Sequence, residues 1–176
     1  MTALPERDRS WLPFRAVNQR GGPGFDPGMQ RHHLLPRQLL GQSGTARLLQ
    51  AVGRDRLRFD DFRRNGLLLP ATDGSALRVG LPLHRGPHRS YNELVSERVG
   101  QIEASWAHSK PRAPEMALTD ALVRLELLQR ALRRRLLDQR RRLILSRKDP
   151  LGAGADFTEI DALVNELWPA TEVSGP

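Results

Sequence analysis

Between residues 29 and 95 the chain alternates short apolar segments with histidines, and the order of these pieces limits what it can fold into. In MQRHHLLPRQLL (29–40) the run HHLLP at 32–36 reads as the end of a strand closed by Pro36. PRQLLGQSGTARLLQAVG then reads as a helix broken near Gly41–Gly44. NGLLLPA (65–71) is a second short strand following an Asn-Gly turn signal. HRSYNELVSERVGQIEASW (88–106) is helical, because Tyr91, Leu94, Val95, Val99, Ile102 and Trp106 share a face and Pro87 suits the first helical position. The order is strand with a His-His pair, insertion, strand opened by Asn65, and helix entered at His88.

A His-His pair alone is more often solvated than ligating, and an H-x3-H spacing gives frequent false positives. Their combination is more informative. Adjacent residues on a regular strand point to opposite sides, so His32 and His33 cannot easily bind one ion together. They can divide the work, one towards a metal and one towards a water. A neutral imidazole can take a proton from water, since its unperturbed pKa lies near about 6.5. His84 and His88 are four apart, but Gly86 and Pro87 interrupt the spacing, which puts His84 in the loop before the helix.

RHHLLPRQL, FDDFRRNGLLLPA and HRGPHRSYNELV together resemble the AHH-type nucleases of the HNH/endonuclease VII superfamily, over roughly residues 29–100. Arg31 stands where the family name has alanine. The resemblance implies a ββα-metal hairpin and a metal-dependent endonuclease. It implies His32 as metal ligand and His33 as general base, as in colicin-type DNases, with His84 and His88 as the remaining ligands. Asn65 is then the counterpart of the superfamily's asparagine, a catalytic-site residue that ties the loop to the strand bearing the base. One divalent ion is expected, Mg2+, Mn2+, Ni2+ or Zn2+. Arg31, Arg85 and Arg89 flank the histidines and are candidates for gripping substrate phosphates. Tyr91 is placed with them as a residue that braces the site or touches substrate. His108 is expected at the surface, and Asp60–Asp61 is expected to start a turn rather than bind metal.

The rest of the chain divides into a glycine- and proline-broken leader (1–28), read as flexible or as a wrapping arm, the nuclease core (29–113), a long helix (114–148) and an acidic tail (149–176). Leu118, Leu122, Leu125, Leu132, Leu136 and Leu143 recur at helical spacing, and Pro150 with Gly152 would stop that helix. Its stripe serves the core or a homodimer contact. A shorter helix is expected at about 156–168, with Phe157, Ile160, Leu163, Val164 and Leu167 on one side. The expected fold class is therefore α+β, mostly helical: a ββα-metal hairpin core with an added long arginine-rich C-terminal helix.

The net charge of +8 comes almost entirely from arginine, which reads equally as a polyanionic partner, with nucleic acid first, or as a GC-rich genome that raises arginine without any binding role; with the resemblance, nucleic acid is expected, DNA ahead of RNA. Residues 123–148 carry ten basic and two acidic side chains, whereas the tail from Asp149 has six acidic and no basic ones, so the tail could lie on the Arg133–Arg142 surface and mimic phosphate. With no cysteine, disulfides and Cys-based zinc sites are excluded. No apolar run is long enough to cross a bilayer, so no membrane contact is expected, and the N-terminus lacks a signal-peptide pattern. The expected location is cytoplasmic, or inside a target cell reached by a route without a signal peptide. The resemblance adds the context of bacterial toxin effectors paired with acidic immunity proteins. A second function class remains: a non-catalytic basic nucleic-acid-binding or helical interaction protein, in which 114–148 does the work and the hairpin is degenerate.

Overall fold

A computed structural model describes residues 11–151, apart from 87, 142 and 147. Strand β1 (Met29–His33) pairs antiparallel with β2 (Gly66–Pro70), with His32 opposite Leu67 and His33 opposite Gly66. Between them lie a 3-10 turn (Arg37–Leu40), helix α1 (Ser43–Val52) and the single-turn helix α2 (Phe62–Asn65). Helices α3 (Asp73–Val79), α4 (Arg89–Ser109) and α5 (Pro114–Leu137) follow. The α+β, mostly helical class read from the sequence is the one found.

The first strand lies three residues earlier than HHLLP suggests. Leu34 and Leu35 are both fully buried. Leu34 N–H still donates to the carbonyl of Asn65, the next position in register, at 2.8 Å, and Leu35 leaves the ladder, its N–H donating to the Asn65 side chain at 2.8 Å. The Asn-Gly pair is also not a turn with positive φ. Asn65 closes α2, which Asp61 caps by accepting from Arg63 N, and Gly66 begins β2 with φ −118. Glycine is required there because a Cβ would overlap the Phe62 ring.

Helix α4 buries Tyr91, Leu94, Val95, Val99, Ile102 and Trp106, the face its periodicity indicates. Helix α5 begins with Pro114 at its first position, as Pro prefers, but stops at Leu137 rather than running to 148. The Asp138 carboxylate accepts from the backbone N–H groups of Arg140 and Arg141, a local alternative to the next helical turn. The chain then turns back and buries Leu143 and Leu145. Leu125, Leu128, Leu132 and Leu136 are buried in the same core, with Leu118 and Leu122 packed against it, so the leucine stripe serves the core of the chain itself, while Met116, Val123 and Leu137 on the same helix are exposed.

The described part of the leader is a wrapping arm, not a loose segment. Phe62 N–H donates to Leu12 O (2.7 Å), and Asn18 donates its side-chain amide to the carbonyls of Asp26 (2.9 Å) and Met29 (2.8 Å). Helix α5 is likewise integral. From it, Arg133 Nη2 donates to the carbonyls of Arg63 (2.8 Å) and Gly66 (2.6 Å), so this arginine clamps α2 and β2 instead of lying on an open basic face. The helix expected at 156–168 lies outside the described residues. Asp149, the first acid of the tail, accepts from Leu83 N–H at 2.8 Å and so pins the loop before His84. Among the described residues no helix is long and apolar enough to cross a membrane.

Candidate metal centre and the His33 side of the hairpin

The alternation of β1 sorts its side chains onto two faces. Gln30 and His32 point towards the loop before α4 and that helix's first turn. His32 is buried, with its ring 4.8 Å from that of His84, 5.8 Å from that of His88 and 4.9 Å from that of Tyr91. His84 is brought there by its own backbone N–H, which donates to Pro70 O (2.6 Å) at the end of β2. His88 is the N-cap of α4. One ring nitrogen from each of the three histidines lies within 4.8 Å of the others.

The tautomers implied by the neighbours leave the inner nitrogens open. His84 Nδ1–H can donate to Gln30 Oε1 (3.1 Å), and His88 Nδ1–H to the Leu145 carbonyl (3.4 Å), so each Nε2 keeps its lone pair. His32 Nε2 is buried without any hydrogen-bond partner. An orphaned imidazole nitrogen is costly unless something fills its lone pair. A divalent ion with bonds of about 2.0–2.1 Å to nitrogen suits the chemistry of this donor set, the side chains closing in on it from separations of up to 4.8 Å. All three residues thus fit a metal.

Electrostatics agree with that fit. Burial, followed by the neighbouring imidazoles, holds His32 well below the usual histidine range. Burial and then His88 bring His84 down to about 4. Burial lowers His88 too, against an opposing contribution from its bond to the Leu145 carbonyl. The three are therefore neutral near pH 7, the form that binds metal.

His33 lies on the other face of the strand with Arg31. Its ring stacks flat on Phe14, with centroids 3.7 Å apart and planes inclined by 4°, while Arg31 Nη1 donates to Phe14 O at 2.8 Å. Phe14 in turn meets Phe62 edge-on at 5.2 Å. Burial first, then Arg37 and Arg31, with Asp60 opposing, depress His33 to about 4. The strand thus brings three of the four histidines together and sends the fourth to an aromatic shelf at the same end of the hairpin.

Asn65 is fully buried and ties the pieces together. Its Oδ1 accepts from Leu35 N–H (2.8 Å), and its Nδ2 donates to Phe59 O (2.9 Å) and Leu35 O (3.3 Å). It holds the backbone immediately after His33 and does not reach the reacting groups itself. Tyr91 is also a brace: its hydroxyl donates to Leu34 O (2.8 Å), and at 1 % exposure it is closed to substrate, which corrects its placing as a substrate contact. Arg31, Arg85 and Arg89 are exposed around the site, Arg85 lying 3.7 Å from Asp73. His108 is exposed on the last turn of α4, away from this cluster. Asp61 is used for capping, with Arg58 Nη2 2.6 Å away.

Three contributors escaped the sequence reading: Gln30, Phe14 and the Leu145 carbonyl. Gln30 was accessible in principle, since i and i+2 on a strand share a face. Phe14 and Leu145 come from distant segments with no periodic signal.

A model of a nuclease family of the HNH/ENDO VII superfamily with conserved AHH matches residues 14–132. The chain belongs to the AHH nuclease family. The match takes in the arm from Phe14 onward and most of α5 as well as the hairpin, and Arg31 replaces the alanine of the AHH signature. No curated protein and no solved structure matches the chain. AHH membership implies a nuclease acting on nucleic acid, and HNH/ENDO VII nucleases usually use a divalent metal, for which the histidine triad is suited.

Proposed function

We propose that the protein is a metal-dependent endonuclease that hydrolyses phosphodiester bonds, with DNA as the preferred substrate and little sequence specificity. One observation carries this reading. Three neutral imidazoles from two motifs, His32 standing 52 positions before His84, converge, and the buried His32 Nε2 has no hydrogen-bond partner among the described residues.

His32, His84 and His88 would hold one divalent ion. Bound there, such an ion supplies Lewis-acid stabilisation of the scissile phosphate and the departing oxygen. His33, neutral at pH 7, accepts the proton of the attacking water on a ring nitrogen. A base depressed to about 4 is weak, and an approaching phosphate anion raises its basicity by favouring the imidazolium. Asn65 fixes the backbone that carries His33. The exposed Arg31, Arg85 and Arg89 hold neighbouring phosphates, and binding that depends on them weakens steeply with salt. A short two-stranded hairpin presents few side chains to base edges, hence the low specificity.

The toxin-effector role, with an acidic immunity protein as partner and action in the cytoplasm of the producing or a target cell, belongs to the same proposal. Its support is the family context together with the strongly basic charge. Plasmid incubated with Mg2+, Mn2+, Ni2+ or Zn2+, with and without chelator, tests the catalytic reading. Nicking that requires both metal and His33 is the expected result. Plasmid that shifts in a gel but stays intact under every metal would replace the enzyme with the non-catalytic binder.

A further inference from the structure

Along β1, between that strand and the N-terminal arm, runs an open groove whose lining includes Arg15, Gln19, Arg20, Phe25, Gln30 and Arg31 and no acidic side chain. It adjoins the metal centre, because Gln30 both lines the groove and accepts from His84. One lining residue also reaches the His33 side, because Arg31 donates to Phe14, on which His33 stacks. Phe25 is the one exposed aromatic side chain among the described residues.

The arm that forms the groove wall is held in shape. Asn18 adopts φ 46, a left-handed conformation that asparagine tolerates. Its Oδ1 accepts from Asp26 N–H at 2.8 Å, and its amide reaches Asp26 O and Met29 O. Arg78 Nη2 adds an ion pair to Asp26 at 2.6 Å. Phe25 is therefore presented next to a fixed residue, which lowers the entropy lost when a ligand lands on it.

We infer that this groove docks an unpaired nucleic-acid strand leading away from the cleavage site, with Phe25 as a stacking platform for a base and Arg15, Arg20 and Arg31 tracking the phosphates. The inference rests on the nuclease reading above and names the form of substrate. A phenyl face is covered only by a base whose own face is free, which a duplex interior does not offer. Three arginines without a lining carboxylate supply the complementary charge.

The test uses fluorescence anisotropy in chelator, so that nothing is cleaved, with a labelled single strand and a duplex of equal length. Phe25→Ala should lose about tenfold in affinity for the single strand and less than about twofold for the duplex. Phe25→Trp should restore single-strand binding, which guards against loss through misfolding. Arg15→Gln with Arg20→Gln should flatten the single-strand salt dependence by about 1.4 in log–log slope, roughly 0.7 for each contact removed. Equal losses on both ligands, no loss in Phe25→Ala, or no single-strand binding by the wild type would overturn the inference. Hydrolysis of bis(p-nitrophenyl) phosphate by the wild type with metal reports the catalytic reading separately. If that hydrolysis occurs while Phe25→Ala binds normally, the groove assignment alone falls.

Discussion

Phe14 lies flat against His33, ring on ring at 3.7 Å, although nineteen positions separate them in the chain. The contact makes the N-terminal arm part of the candidate base's surroundings. Burial is the largest cause of the low pKa of His33, and Phe14 supplies one whole face of that burial. Phe14→Ala should therefore raise the His33 pKa from about 4 by roughly one unit towards the ordinary value, read from its imidazole proton shifts by NMR titration. An unchanged pKa would assign the depression to Arg37 and Arg31 instead.

Asn65→Ala should cost stability out of proportion to its size. It strands the buried Leu35 N–H and Phe59 carbonyl, and unpaired buried groups together cost about 2–4 kcal/mol. Asn65→Asp should not rescue it, because a carboxylate has no N–H to give Phe59. Urea denaturation midpoints check both variants. A loss below about 1 kcal/mol would show that water replaces the side chain.

Acid should destabilise the metal-free protein between about pH 6.5 and 4. His33 and His84 titrate near 4 when folded, against about 6.5 when unfolded, and His32 is lowered as well. The unfolded chain thus binds protons that the folded chain refuses, so stability is full above about 6.5 and is lost as pH falls through the folded values. Thermal melts at fixed ionic strength should show that slope. It should flatten when His84 is replaced by Asn, which no longer titrates.

Much of this was legible in the sequence, and the failures have local causes. Helix α4 was readable because one period of 3.6 governs it from Tyr91 to Trp106. Leu143 extended the stripe of α5 on paper, since it follows Leu136 by seven, yet it reaches the core through a chain that has already turned at Asp138. HHLLP looked like a strand running up to Pro36 because Leu34 and Leu35 continue the apolar segment after the histidines. What ends the strand at His33 is the buried amide of Asn65, thirty-two residues on, which no local pattern shows. The family resemblance, not the spacing alone, suggested that His32, His84 and His88 belong together, and the shelf under His33 is built by a segment rich in glycine and proline whose sequence suggests only irregularity.

In the proposed mechanism His32, His84 and His88 hold a single ion, and His33 stands apart from it as the base. Calorimetric titration of Zn2+, Ni2+ or Mn2+ into the wild type, His32→Ala and His33→Ala tests it directly. One ion per chain should bind the wild type and His33→Ala alike, while His32→Ala loses at least about 100-fold in affinity. Wild-type affinity in His32→Ala, or metal binding lost in His33→Ala with His32 intact, would contradict the assignment.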